Sequence, residues 1–293
     1  MIKIKVPATS ANIGPGFDCL GISLKLFNEI KVKEIDKGLV IKGGEKKFRN
    51  KFNLIYTSMI KCFDIVRYKP KGIEINLDPK IPISRGLGSS ASCIVSGVMA
   101  ANEISNSKLS KEDILNISTN IEGHPDNITP AIYGGLTVSI LEKNKVYFNK
   151  IDIKKGLKFL AIIPDFKLST KESRNVLPEN IKYSDGVFNV GRVSLLISSL
   201  VNGRFDLLKL ACKDKLHQNY RGKLISNYEK IIDYCDKSET KGVYLSGAGP
   251  TIMVILNSKN NIFKNDIVKF LNSLNMKCLV KELEIDTKGA KVS

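Results

Sequence analysis

Residues 82–92, Pro-Ile-Ser-Arg-Gly-Leu-Gly-Ser-Ser-Ala-Ser, join a glycine-rich turn to a run of small residues able to open a helix. The chemistry this suits is the holding of a phosphate. Gly86 and Gly88 permit backbone conformations that other residues avoid and let a bulky anion come close. Residues 89–101 (SSASCIVSGVMAA) read as a buried helix whose first turn directs unpaired N–H groups and a partial positive charge at that anion. No Gly-x-x-x-x-Gly-Lys-Ser/Thr string occurs, so the lysine-bearing loop of P-loop nucleotidases is excluded. Gly86-Leu-Gly88-Ser-Ser-Ala91 matches the dinucleotide fingerprint in form, but Glu103 comes too early to be its ribose-binding acid and no parallel strand follows. Alone, such a turn serves equally well to pack a helix on a strand.

Two more glycine turns lie far off in the chain, at residues 6–21 (VPATSANIGPGFDCLG) and 244–253 (YLSGAGPTIM), each flanked by strand-like runs. Three such turns can converge on one ligand. Phosphoryl transfer asks for a metal-bridged triphosphate, an acceptor held in line and neutralised charge, rather than covalent catalysis. Ser89 and Ser90 stand at the helix N-terminus, where a hydroxyl can reach Mg²⁺ held between phosphates. Glu122 falls in the last turn of another helix, beside the negative end of its dipole, at a cost of up to about 1 kcal/mol that a nearby cation would remove. An exposed helix-end charge is the other reading. Asp18 closes the first turn with no local partner, as a surface turn aspartate would. His124 lies in a polar turn, Gly-His-Pro-Asp-Asn, not on an apolar face. Arg174 and Arg221 are two of only seven arginines among 46 basic residues, and their planar forks suit a carboxylate. Asn53 precedes a helix-like run, where capping explains it as well as ligand contact does.

These segments together resemble the motifs of the GHMP small-molecule kinases, and residues 7–18 (PATSANIGPGFD) take the form found in the homoserine kinases among them. Residues 122–127, 169–178 and 216–221 match as well, so the resemblance spans almost the whole chain. It implies ATP-dependent phosphorylation of the homoserine hydroxyl, in threonine synthesis, by a cytoplasmic homodimer. It also implies an α+β, two-domain architecture: a ribosomal-protein-S5-domain-2-like unit over residues 1–155 and a ferredoxin-like βαββαβ unit over residues 156–293. On this resemblance ATP lies on Pro82, Ile83, Ser84, Arg85, Gly86, Leu87, Gly88, Ser89, Ser90, Ala91 and Ser92, with Asn53 at the nucleotide, and Ser90 and Glu122 hold Mg²⁺. Asn12 and Asp18 hold the amino-alcohol end of homoserine, with Asp18 facing its ammonium and hydroxyl either as base or as positioner. His124 touches the substrate, and Arg174 and Arg221 clamp its carboxylate near Thr170. Many members place more residues between that glutamate and histidine than separate Glu122 from His124, so the chain is a shortened variant with Asp126 as the next metal candidate. A kinase for threonine, mevalonate or a related alcohol is the nearest competitor.

Composition narrows the remaining classes. At 293 residues, 43% hydrophobic and 26% charged, the chain has material for two ordinary cores sharing a cleft. No apolar run approaches the roughly 18 residues of a membrane span, and residues 1–30 lack a signal-peptide core. A net charge of +17 raises the question of nucleic acid. The lysines are scattered, however, with no arginine stripe and no interleaved aromatics, so no nucleic-acid or membrane partner is expected. The six cysteines show no C-x-x-C pairing and only two histidines occur, which points away from zinc or a disulfide framework. A thiol hydrolase using Cys19 or Cys93 with His124 would need a cation beside the thiol, and neither cysteine has one in sequence.

The elements that must position these residues follow from periodicity. Residues 1–6 and 22–42 alternate like strands, 53–68 are helix-like, and 72–77 form a strand leading into the phosphate loop. Ser110 starts a helix that Gly123 stops, and residues 131–141 and 145–148 read as a strand pair turning at Asn144. Beyond residue 155 come a strand at 157–164, helices over 186–234, strands at 242–246 and 251–256, a helix at 262–274 and a last strand at 277–285. That order is the split βαβ plan.

Overall fold

The computed structural model describes all of residues 1–293. Its strands are β1 (Ile2–Ala11), β2 (Leu20–Glu34), β3 (Gly38–Gly43), β4 (Gly72–Asp78), β5 (Leu136–Glu142), β6 (Lys145–Ile151), β7 (Leu157–Pro164), β8 (Gly242–Leu245), β9 (Ile252–Asn257), β10 (Cys278–Leu283) and β11 (Lys291–Val292). Its α-helices are α1 (Leu54–Ile65), α2 (Ser89–Ser105), α3 (Lys111–Glu122), α4 (Ile128–Tyr133), α5 (Thr170–Asn175), α6 (Tyr183–Asn202), α7 (Leu208–Ala211), α8 (Gln218–Arg221), α9 (Tyr228–Lys237) and α10 (Phe263–Ser273). One sheet runs β11-β1-β2-β4-β3, with β5 pairing β2 and β6 beyond it; the other is antiparallel in the order β10-β7-β9-β8. The second order is that of a ferredoxin-like βαββαβ unit, so the fold is α+β as the sequence predicts.

Both faces of the second sheet are buried over β7, β8 and β9, which is why these strands read as near-continuous apolar runs, whereas the edge strand β10 carries exposed Lys281 and Glu282. Phe159, Ala161 and Ile163 of β7, with Met253 and Ile255 of β9, pack towards the first sheet. Leu160, Ile162, Val254 and Leu256 pack towards α9 and α10 instead. In the first sheet a register shift at Pro7–Ala8 lets residues of one parity serve opposite faces. Ile4, Val6, Ile30 and Val32 sit under the helices, while Ala8 and Leu20, Ile22, Leu24 and Leu26 meet the second sheet.

Three sequence expectations change. The run 22–42 is two strands broken at residues 35–37. Residues 131–133 belong to α4, not to a strand, because the short apolar stretch Ile128, Ala131 and Ile132 buries a helical face. The strand at 278–283 is not the last: the chain continues to β11, which pairs antiparallel with β1 (Ile4 opposite Val292). Buried Asp286 fastens that return by accepting from Gly289 N at 2.6 Å and Ser23 Oγ at 3.3 Å. The capped helix after Ser110 is as predicted, with Asp113 completing the capping box and Gly123 ending it. No helix is long and apolar enough to cross a membrane.

Candidate active site

The three glycine turns meet, and they are bonded to each other before anything else binds. Gly247 N donates to Ala11 O at 3.1 Å, Thr9 N to Leu87 O at 3.2 Å, and Thr251 N to Arg85 O at 3.3 Å. Ser246 Oγ donates to Gly86 O at 2.5 Å and shares a hydrogen bond with Ser10 Oγ at 2.7 Å. Asn12 Nδ2 donates to Gly247 O at 3.1 Å while its Oδ1 accepts from Asp18 N. Residues some 235 apart in sequence therefore hold one another's backbone.

The phosphate loop explains its own glycines differently from the sequence reading. A Cβ on Gly86 would stand 2.4 Å from Ser246 O, and one on Gly88 1.9 Å from Thr9 Oγ1. Both residues have positive φ, +76° and +67°, which side chains resist. Close packing of the three turns, rather than ligand approach alone, demands glycine. Gly88 heads α2 without a side-chain cap, so the first N–H groups of the helix stay free for an anion.

A cavity of about 520 Å³ opens over this helix end. On one side Ser90 Oγ donates to Glu122 Oε2 at 2.7 Å. Burial pushes the Glu122 carboxyl above its ordinary value, only partly offset by Ser90 and His124. His124 Nδ1 lies 2.7 Å from Asp126 Oδ1, which also accepts from Asn127 Nδ2. Burial works against the charged imidazole, yet the bond to Asp126 and the charges of Asp126, Glu122 and Asp18 outweigh it and raise its pKa. Thr9 Oγ1 donates to Asn127 Oδ1 at 2.7 Å, tying this turn to β1.

On the other side Arg174 grips Asp18 as a fork, Nη1 to Oδ2 at 3.0 Å and Nη2 to Oδ1 at 2.9 Å. The capping box of Ser169 and Glu172 starts the short α5 that carries Arg174. Arg221, on α8, is buried and donates from Nε to Ser173 O at 3.1 Å and from Nη1 to Gly247 O at 3.0 Å. Burial and the like charge of Arg174 bring its pKa down to about 10. Both guanidinium groups lie over the ring of Phe17, at 5.0 Å for Arg221 and 5.7 Å for Arg174.

Residues 53–135 match the GHMP kinases N terminal domain and residues 196–264 the GHMP kinases C terminal domain. A homoserine kinase of Clostridium botulinum (strain Kyoto / Type A2) is 52% identical, covering 100% of this chain and 99% of that protein. The chain belongs to the homoserine kinase family. A crystal structure of homoserine kinase from Cytophaga hutchinsonii superposes at a TM-score of 0.89, with 27% identity, 100% of this chain and 97% of that one covered. The fold is shared more widely: L. major mevalonate kinase in complex with R-mevalonate gives 0.74 at 17% identity, over 98% and 96% of the two chains.

Seen as a kinase, the chain brings most of its predicted site residues to one cavity. Asn12, Asp18, Asn53, Pro82, Ile83, Ser84, Arg85, Gly86, Gly88, Ser89, Ser90, Glu122, His124, Thr170, Arg174 and Arg221 all line it. Leu87 and Ala91 are instead buried in the core, and buried Ser92 accepts from Asn28 Nδ2 at 2.8 Å. Asn53 caps α1, accepting from Ile55 N and Tyr56 N, while also facing the cavity. Sequence reasoning missed Asn28, whose Oδ1 accepts from Lys80 N and Ile81 N and so sets the entry to the phosphate loop. It gave no signal, being one polar residue on an alternating strand. No group of three or more His, Cys, Asp or Glu is arranged around a metal position, and burial raises the Cys19 and Cys93 thiols to about 11, which disfavours a thiolate nucleophile.

Proposed function

We propose that this chain transfers the terminal phosphoryl group of ATP to the side-chain hydroxyl of homoserine, giving O-phosphohomoserine and ADP and feeding threonine synthesis. The observation that carries this reading is the pairing of Arg174 with Asp18 beside buried Arg221, at the far side of a cavity that begins at the uncapped N-terminus of α2. Homoserine brings one ammonium and one carboxylate. Its ammonium takes over Asp18 while its carboxylate takes over Arg174 and Arg221, so the ion pair is exchanged without leaving a partly buried charge unpaired. A hydroxy acid such as mevalonate would satisfy the arginines and strand Asp18.

In transfer the hydroxyl oxygen bonds to phosphorus as the bond from phosphorus to the bridging oxygen breaks, and the negative charge leaves with ADP. Asp18 orients the hydroxyl and is the carboxylate of the substrate side able to take its proton. Free N–H groups of α2 receive phosphate, and Arg85, whose Nη1 is buried without a partner, adds a donor to the same loop. Ser90 and Glu122 fit Mg²⁺, an ion that keeps several waters and needs few protein oxygens. Bound there, it would neutralise charge on the phosphates. His124, its proton favoured by Asp126, stands at the junction of the two sides.

Residues 1–155 then act as the unit carrying the phosphate loop and residues 156–293 as the unit carrying the arginines, in a cytoplasmic homodimer. A coupled ADP-release assay across homoserine, threonine, serine and mevalonate tests the substrate. Homoserine is expected to have the highest kcat/KM; preference for another alcohol by a hundredfold would leave the kinase and remove the substrate.

A further inference from the structure

We propose that His217 is a positioning residue for the carboxylate clamp, acting through the ring of Phe17 on which the two arginines rest. The proposal builds on the reading that Arg174 and Arg221 receive the homoserine carboxylate. His217 is fully buried and outside the cavity lining. Its Nε2 lies 2.8 Å from Gly14 O, and since a carbonyl only accepts, Nε2 carries the proton. Nδ1 is then bare, and it is buried with no partner. A second proton there would find no acceptor and would set a positive ring beside Arg221.

The surroundings hold this neutral ring still. Asp214 spends its oxygens on backbone, accepting from Leu216 N at 3.0 Å, His217 N at 2.8 Å and Gln218 N at 2.7 Å, with Asn189 Nδ2 at 2.7 Å completing the set. The imidazole stacks on Phe17 with centroids 5.2 Å apart and planes at 23°. His217 O in turn accepts from Arg221 N at 3.0 Å. One residue thus joins the first glycine turn through Gly14, the ring beneath both guanidinium groups through Phe17, and the main chain of Arg221. A residue that merely filled space would need none of the three.

The test separates the ring from the proton. In H217Q an amide can still reach Gly14 O but the stack is lost; in H217F the stack stays and the donor is lost. Homoserine KM is expected to rise about tenfold in H217Q, with ATP KM within about twofold of the unmodified enzyme. H217F should lower Tm but keep homoserine KM close to the starting value. F17L should raise homoserine KM as H217Q does, and the double variant H217Q/F17L should add little beyond F17L alone, since both break one link. Unchanged homoserine KM in a folded H217Q, equal weakening for both substrates, or full additivity with F17L would each overturn the proposal. If H217Q fails to fold, F17L and H217F still decide it, because a raised KM in H217F with none in F17L would contradict the role of the stack. Failure of the unmodified chain to phosphorylate homoserine would overturn the substrate reading and this proposal with it; normal turnover with unaltered variants overturns this proposal alone.

Discussion

The two sides of the cavity are made of different materials. The nucleotide side is main chain: three turns whose carbonyls and N–H groups bond to each other, with glycine where a Cβ would strike a neighbouring segment. The substrate side is side-chain charge, where Asp18 answers Arg174 beside buried Arg221, and the pairs Glu122–Ser90 and His124–Asp126 stand between it and the nucleotide side. A backbone site is specified by short contiguous strings, one for each turn, and tolerates almost no added atom. A charge site is collected from distant segments and tolerates shape changes better than changes in pairing. Substitutions on the two sides should therefore fail differently, in folding on one and in affinity or turnover on the other.

The largest effect is expected for Glu122→Gln, which should lower kcat by about a hundredfold or more while homoserine KM stays within about twofold, because metal charge acts on the phosphates. Its stability should move the other way. Burial raises the folded-state pKa of Glu122, so what this group contributes to stability is greatest below the ordinary carboxylate range and falls as pH rises through the folded value. A glutamine avoids that loss, and Tm at neutral pH should rise. Initial rates over a Mg²⁺ series and a melting curve read both; near-normal activity would shift the metal role to Asp126.

Gly88→Ala comes next and should break the comparison on the backbone side. Its Cβ would fall 1.9 Å from Thr9 Oγ1 at a φ of +67°. We expect a stability loss of about 2–3 kcal/mol, seen as a lower Tm and denaturation midpoint. A folded variant of unchanged Tm that binds ATP poorly would restore the simpler view that glycine serves the ligand only.

Arg221→Lys keeps the charge and loses the fork. Each charge-assisted hydrogen bond lost from the buried pocket should cost about 1.5–3 kcal/mol, raising homoserine KM roughly ten- to a hundredfold with ATP KM nearly constant. Arg174→Lys should do less, since that side chain is 38% exposed. Equal weakening for both substrates would assign the arginines to folding.

The smallest effect concerns Asp126→Asn. Asp126 raises the His124 pKa, so the stabilisation from the protonated pair is present below the ordinary histidine value of about 6.5 and is lost as pH rises through the folded value. The substitution should lower the His124 midpoint in an NMR titration and flatten the dependence of Tm on pH from about 6.5 upward. An unmoved midpoint would mean that the 2.7 Å contact does not persist in solution.

This contrast also explains what was legible in the sequence. Gly86, Gly88 and the serines after them are read directly because backbone demands fall on neighbouring residues. The capping box at Ser110 and Asp113 and the stop at Gly123 are local for the same reason. That Glu122 should reach Ser90, 32 residues away, came from resemblance and not from any periodicity. The Arg174 fork on Asp18 spans 156 residues and has no local signal: the resemblance places both against the substrate, whereas the structure pairs them with each other. β11 is illegible because two residues, Lys291 and Val292, are too few to carry a period, and α4 because a short apolar run suits strand and helix alike.

The exchange of the Asp18–Arg174 pair for a zwitterion is tested most directly by removing each charge from the substrate in turn. The measurement is kcat/KM for homoserine, for 4-hydroxybutanoate, which lacks the ammonium, and for 3-aminopropan-1-ol, which lacks the carboxylate. Each truncated substrate leaves one member of the pair without a partner, so each should fall by about a hundredfold or more, at a cost of roughly 3 kcal/mol per stranded charge. Comparable kcat/KM for either analogue would contradict the exchange and reduce the pair to a structural contact at the edge of the cavity.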